Sequence, residues 1–124
     1  MKKMFSLIMV IGLLLGIASQ ASAANGVYVF NPYPNSIGAV PNYIGITKPM
    51  GAYQYELHIQ ETNNGTRSYY SGFNYMPSSG YDINHTLPNS TKIMLQGGTY
   101  NILALVYNSS GALIGRDVVK VTFI

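Results

Sequence analysis

The stretch Leu95-Gln96-Gly97-Gly98-Thr99-Tyr100-Asn101-Ile102-Leu103-Ala104-Leu105-Val106-Tyr107 decides the fold. Two glycines make a tight corner, and a long apolar strand follows from Tyr100 to Tyr107. The chain then turns through Asn108-Ser109-Ser110-Gly111 and closes with a strand from Ala112 to Phe123. In that last strand Val119, Val121 and Phe123 alternate with Val118, Lys120 and Thr122. A period of two places each set on its own face of a sheet.

The same period recurs upstream. In Tyr53 to Gln60, Tyr53, Tyr55, Leu57 and Ile59 share one face, and Gln54, Glu56, His58 and Gln60 the other. That pattern predicts an antiparallel sheet with one buried and one wet face. Asn64-Gly65 follows, the strongest short hairpin signal because both turn residues need positive φ. A two-residue loop there pairs Gln60 with Tyr69 and Ile59 with Tyr70, so Tyr69, Phe73 and Tyr75 fall on the wet side. A bulge at Gly72 instead shifts the parity and sends Phe73 and Tyr75 inward. Both readings stand at this point.

Further strands are expected at Gly26 to Phe30, Tyr43 to Thr47 and Thr91 to Leu95. Asn31-Pro32-Tyr33-Pro34 ends the first of them, since proline lacks an amide donor. Met76 to Gly80 reads as a loop, and Tyr81 to Pro88 as irregular or a short edge strand. About seven strands in roughly 100 residues predict a single all-β domain, an antiparallel immunoglobulin-like β-sandwich. Leu95-Gln96-Gly97-Gly98-Thr99-Tyr100 resembles the corner of bacterial immunoglobulin-like and fibronectin type III domains, which often read Leu-x-x-Gly-Thr-Tyr. The resemblance runs from Leu95 to about Val121, with Gly97 in place of the usual corner proline. It implies a fold and carries no site with it.

The chain opens with the features of an export signal: Lys2 and Lys3, an apolar run from Phe5 to Ile17, and Ala21-Ser22-Ala23 as a cleavage motif. Residues 1–23 are therefore read as a signal peptide and 24–124 as the single β-sandwich domain. The apolar run is short against the roughly 20 residues of a spanning helix, so no stable membrane insertion is expected after cleavage. The expected location is secreted or extracytoplasmic, in the periplasm or cell envelope of a bacterial source.

Seven Lys and Arg face four Asp and Glu in the whole chain. Without Lys2 and Lys3 the balance drops to about +1, and the remaining cations Lys48, Arg67, Lys92, Arg116 and Lys120 are scattered. Nucleic-acid binding, which needs a basic patch, is not expected. There is no cysteine, hence no disulfide, thiolate metal site or cysteine nucleophile.

Catalysis is not expected either. Asp82 and His85 are three apart in a loop-like segment, and no G-x-S-x-G elbow is present. Glu56 and His58 could hold two corners of a metal site, but Gln54 and Gln60 beside them are poor ligands for zinc. The sequence therefore predicts no metal and no cofactor. Four Asn-x-Ser/Thr triplets, beginning at Asn64, Asn84, Asn89 and Asn108, read as surface-loop composition.

What remains is recognition. Eleven tyrosines, all beyond residue 24, accompany much Ser, Gly and Asn, a mixture that suits contact surfaces. The expected function is a secreted non-catalytic module that binds an extracytoplasmic protein, with Tyr69, Phe73, Tyr75 and Tyr81 as contact residues. Loops 48–52, 76–88 and 108–111 are expected to meet at one end and add Met50, Met76, Pro77 and Asn108. The alternative is a self-assembling structural or envelope protein that pairs through edge strands, suggested by the final Val-Thr-Phe-Ile. Glycan binding is weaker, because there is no Trp to stack on a sugar ring.

Overall fold

A computed structural model describes residues 26–77, 80 and 82–124 of the chain. The export signal, its cleavage motif and Tyr81 lie outside the described residues. Two sheets pack face to face. The smaller holds β1 (Val29–Asn31), β3 (Tyr43–Thr47) and β7 (Asp82–Thr86) in the order β1-β3-β7. The larger has the order β2-β9-β8-β4-β5, built from β2 (Ile37–Gly38), β9 (Leu113–Phe123), β8 (Gly98–Tyr107), β4 (Gln54–Glu61) and β5 (Ser68–Tyr70). Strand β6 (Asn74–Tyr75) continues the β5 edge along β4. All pairings are antiparallel except β2 with β9.

The core lies between the sheets. Val29, Ile44, Ile46 and Ile83 from the smaller sheet meet Tyr55, Leu57, Ile59, Ile102, Ala104, Val119 and Val121 from the larger. These are the inward positions of the alternating strands, and their removal from water is the main favourable term in folding. The all-β sandwich expected from the sequence is the observed class.

One expected strand is a helix. Residues 91–95 belong to α1 (Asn89–Leu95), which starts after Pro88. Thr91 and Leu95, four residues apart, are its buried positions and share one face over the end of the core. The spacing of four, not two, was the signal. The helix delivers the chain to Gly97, whose φ of +75° makes the corner.

The β4–β5 hairpin also differs from expectation. Asn63 and Asn64 carry the positive φ values, 57° and 64°, and Gly65 N donates to Thr62 O at 3.0 Å. The turn is thus centred one residue upstream of Asn64-Gly65. The ladder pairs His58 with Tyr70, Ile59 with Tyr69 and Gln60 with Ser68. A slip of one residue exchanges faces, so Tyr69 turns inward and Tyr70 outward. A second shift follows at Gly72, at φ +72°, after which Tyr75 pairs with Gln54. The two shifts cancel for Phe73 and Tyr75, and both are exposed.

The terminal Val-Thr-Phe-Ile segment is not a free edge. Ile37 and Gly38 pair with Thr122 and Phe123, and Ile124 N donates to Gly38 O at 3.0 Å. The segment that suggested self-pairing is already covered by its own chain.

Candidate functional site

The outer face of the larger sheet carries the most unusual chemistry in the molecule. Glu56 and His58 were expected to face water, yet Glu56 is 7% and His58 3% exposed. Their burial follows from the neighbouring strands. On β8 the residues opposite them are Leu105 and Leu103, themselves buried beneath Tyr107 and Val118. The run Ile102-Leu103-Ala104-Leu105-Val106 is apolar at consecutive positions, which marks a strand covered on both sides. That signal was available in the sequence and contradicts a wet face. On the other side, Tyr70 of β5 stacks over His58 with ring centroids 4.6 Å apart and planes 26° apart.

Glu56 is the hub of this cluster. The Tyr107 hydroxyl donates to Oε1 at 2.5 Å, and the Tyr70 hydroxyl donates to Oε2. His58 Nε2 stands 3.6 Å from Oε2, an ion-pair distance and too long for a hydrogen bond. Burial alone pushes the Glu56 carboxyl up, but His58 and the two hydroxyls together outweigh it and hold the group below the usual carboxylate range. The same burial and the same carboxylate push the Tyr70 and Tyr107 hydroxyls well above the ordinary tyrosine value. Both ring nitrogens of His58 are buried and neither has a hydrogen-bond partner among the described residues. Also among the described residues, no three of His, Cys, Asp and Glu come together.

Beside this cluster lies an exposed aromatic strip. Phe73 is 60%, Tyr75 69% and Tyr53 45% exposed. Phe73 lies against Tyr107 at 5.6 Å between centroids, and Tyr75 meets Tyr53 edge-on at 5.4 Å. Backbone bonds fix the strip to the sheet: Tyr53 N donates to Tyr107 O and Met76 N to Tyr53 O, each at 2.8 Å. Lys48 Nζ donates to Pro77 O at 2.6 Å and ties two of the expected loops together at this end. Met50 there is fully exposed.

Tyr69 is a correction. It was expected on this outer face, but the one-residue slip of the hairpin places it opposite Ile59, packed against the core. Its hydroxyl meets His85 Nε2 at 2.8 Å, and Tyr55 meets Nδ1 at 2.8 Å. His85 therefore bridges the two sheets and has both nitrogens engaged. Of the four residues expected to make contact, Phe73 and Tyr75 are both exposed but pack against different rings, Tyr107 and Tyr53; Tyr69 is set inside, and Tyr81 lies outside the described residues.

A third polar group is structural. Arg67 forms a two-pronged ion pair with Glu61, with Nη2 to Oε2 at 2.7 Å and Nε to Oε1 at 3.1 Å. Its Nη1 donates to Met94 O at 2.9 Å and Gln96 O at 2.6 Å, which closes the end of α1. The guanidinium also lies over the Tyr100 ring, 5.5 Å from the centroid.

Comparison of the chain with protein-family models, with curated proteins and with solved structures finds no match.

Proposed function

We propose that the chain is an exported, non-catalytic binding module on an immunoglobulin-like sandwich, and that it contacts a protein partner through the strip of Phe73, Tyr75 and Tyr53. The observation that carries this reading is the strip itself. Large aromatic rings stand in water on a strand edge, Tyr75 against Tyr53 and Phe73 against Tyr107, and main-chain bonds of Tyr53 and Met76 fix the segment to the sheet. Such rings supply contact area at low entropic cost, because few torsions are frozen on binding. Clustered apolar exposure on a soluble domain marks an interaction site.

The strand order supports the finer fold. Counting the longer strands in sequence, the first, second and fifth-lettered positions (β1, β3, β7) face a sheet of β9, β8, β4 and β5, the arrangement of an immunoglobulin domain with an added strand beside the third. The export reading rests on Lys2, Lys3 and the Ala21-Ser22-Ala23 motif. The non-catalytic reading draws on Glu56, since a carboxylate held below its usual range with both oxygens engaged is the opposite of a group poised for proton transfer near neutral pH.

The test is retention of proteins from the extracytoplasmic fraction of the source on immobilised protein. A variant carrying Phe73→Ser and Tyr75→Ser, shown to be folded by circular dichroism, is the comparison. A partner that saturates the wild type and is retained at least tenfold less by the variant is expected. Equal retention by the folded variant overturns the site. Retention of the protein's own chain alone replaces the reading with self-assembly.

A further inference from the structure

We propose that the seam between β1 and the open half of β9 takes an extended peptide of a partner protein, with apolar and acidic residues alternating, as an added strand of the larger sheet. The seam lies at the opposite edge of that sheet from Phe73, Tyr75 and Tyr53, and uses none of them.

Strand β9 is covered along only part of its outer edge. Ile37 and Gly38 pair with Thr122 and Phe123, and Asn35 N donates to Lys120 O at 2.7 Å. Upstream of Asn35 the chain leaves that edge through Pro34 and Pro32, neither of which has an amide to offer. Main-chain groups of successive strand residues point to alternate sides. Lys120 O and Thr122 N turn toward the β2 side, and the β8–β9 register is unbroken from Arg116 to Thr122. The amides and carbonyls of Arg116 and Val118 therefore point the same way. Among the described residues no hydrogen bond takes them up. Such a row of open donors and acceptors is a template for another main chain.

The space beside that row suits one face of an incoming strand. A cleft of about 580 Å³ opens here between the sheets. Tyr28, Phe30, Tyr33 and Pro34 wall it, and Val29, Asp117 and Val119 are buried at its base. Asp117 Oδ2 accepts from Val29 N at 2.8 Å, which fixes β1 beside β9 and satisfies that main-chain donor. Side chains of an added strand alternate between the cleft and the outer face of the sheet. The rings and valines select apolar residues for the cleft.

Charge selects the other set. Arg116 and Lys120 stand four residues apart on the outer face of β9, and neither forms an ion pair among the described residues. Carboxylates on an adjacent strand meet them there. The chain itself offers no free strand of this pattern among the described residues. Of its four acids, Glu56 and Asp117 are buried, Glu61 is held by Arg67, and Asp82 is on β7, whose Ile83 belongs to the core.

The probe is a fluorescein-labelled peptide, Glu-Val-Glu-Phe-Glu-Val-Glu, titrated with the full chain while anisotropy is read. Saturable binding is expected, at least tenfold tighter than that of Glu-Glu-Glu-Glu-Val-Val-Phe, which has the same composition without the alternation. A variant carrying Arg116→Glu and Lys120→Glu, shown to be folded by circular dichroism, should bind the probe at least tenfold more weakly and should prefer Lys-Val-Lys-Phe-Lys-Val-Lys. Methylating one alternate set of the probe's amide nitrogens should abolish binding, and methylating the other set should leave it. Phe73→Ser with Tyr75→Ser should leave the affinity unchanged, which keeps failure here separate from failure of the aromatic strip. Absence of saturable binding overturns the proposal. So does equal binding of the two acidic peptides, of wild type and the charge-reversed variant, or of the two methylated probes. Sedimentation of the chain alone as a dimer that the charge-reversed variant does not form overturns the partner assignment and makes the occupant a second copy.

Discussion

The Tyr69 hydroxyl and His85 Nε2 lie 2.8 Å apart across the interior of the sandwich, and this contact joins β5 of one sheet to β7 of the other. A neutral imidazole has one donor and one acceptor nitrogen, so Tyr69 and Tyr55 must take opposite roles on its two sides. Tyr69→Phe keeps the ring and removes the hydroxyl, leaving one half-buried nitrogen without its partner. The unfolding free energy should fall by about 1–2 kcal/mol. Urea denaturation checks this, and unchanged stability would show that the bridge contributes nothing.

His85 also sets a pH dependence. Burial lowers its pKa below the ordinary histidine value. The unfolded chain therefore takes up a proton first as the pH falls, and protonation favours unfolding. The contribution is whole above the unfolded value of about 6.5 and declines as the pH falls from there toward the folded value. Stability should drop between pH 7.5 and 5.5, and the drop should be smaller in His85→Gln. An identical drop in both proteins would assign it to another group.

Glu56 acts at lower pH and with its own sign. Its pKa is depressed in the folded state, so its contribution is present above the unfolded value and is lost as the pH falls through the folded one. Glu56→Gln removes the charge and leaves one of two tyrosine hydroxyls without an acceptor. A loss of about 1–3 kcal/mol at pH 7 is expected, together with a flatter acid limb below about pH 4.5. At high pH, Tyr70 and Tyr107 should be the last tyrosines to ionise, because burial and Glu56 both raise them. Ultraviolet titration of wild type against Tyr70→Phe and Tyr107→Phe locates them.

Gly98 is required by its neighbours. A Cβ built there would strike Arg67 Nη2 and lie 2.9 Å from the Tyr100 hydroxyl. Gly98→Ala should cost about 1–3 kcal/mol, the range for forcing atoms into a filled site. The same substitution should cost less in an Arg67→Met background, where the obstructing guanidinium is gone. Equal cost in both backgrounds would place the conflict elsewhere.

The fold was legible where one face of a strand is apolar and the other polar. β9 and the inward half of β4 follow directly from Val119, Val121 and Phe123 and from Tyr55, Leu57 and Ile59. Two features escaped for definite reasons. Thr91 and Leu95 are a helical pair that five residues of apolar and polar mixture disguise as a strand. Glu56 and His58 read as solvated because their cover, Leu103, Leu105, Tyr107 and Tyr70, comes from two other strands whose register the sequence does not state. Once the hairpin slips by a residue, Tyr70 joins that cover and Tyr69 leaves the face.

The slip itself rests on Glu61, Asn63, Asn64 and Gly65. Asparagine tolerates the left-handed region better than other residues with a Cβ, though less well than glycine. Two asparagines in succession let the turn form upstream, at Asn63 and Asn64. Gly65 then serves as space, because a Cβ there would overlap the Glu61 carboxyl. That carboxyl is held in place by Arg67, including a bond from Arg67 N to Oε1 at 3.2 Å. Asn64→Gly should therefore stabilise the protein by roughly 0.5–1 kcal/mol through relief of the backbone conformation. Gly65→Ala should destabilise it and break the Glu61–Arg67 pair, although Gly65 has no positive φ to lose. Had the turn been centred on Asn64-Gly65, Gly65→Ala would act through φ, and Glu61→Ala would not relieve it. Thermal unfolding of Gly65→Ala alone and combined with Glu61→Ala decides between them: partial recovery in the double variant is the expected result, and none would restore the downstream turn.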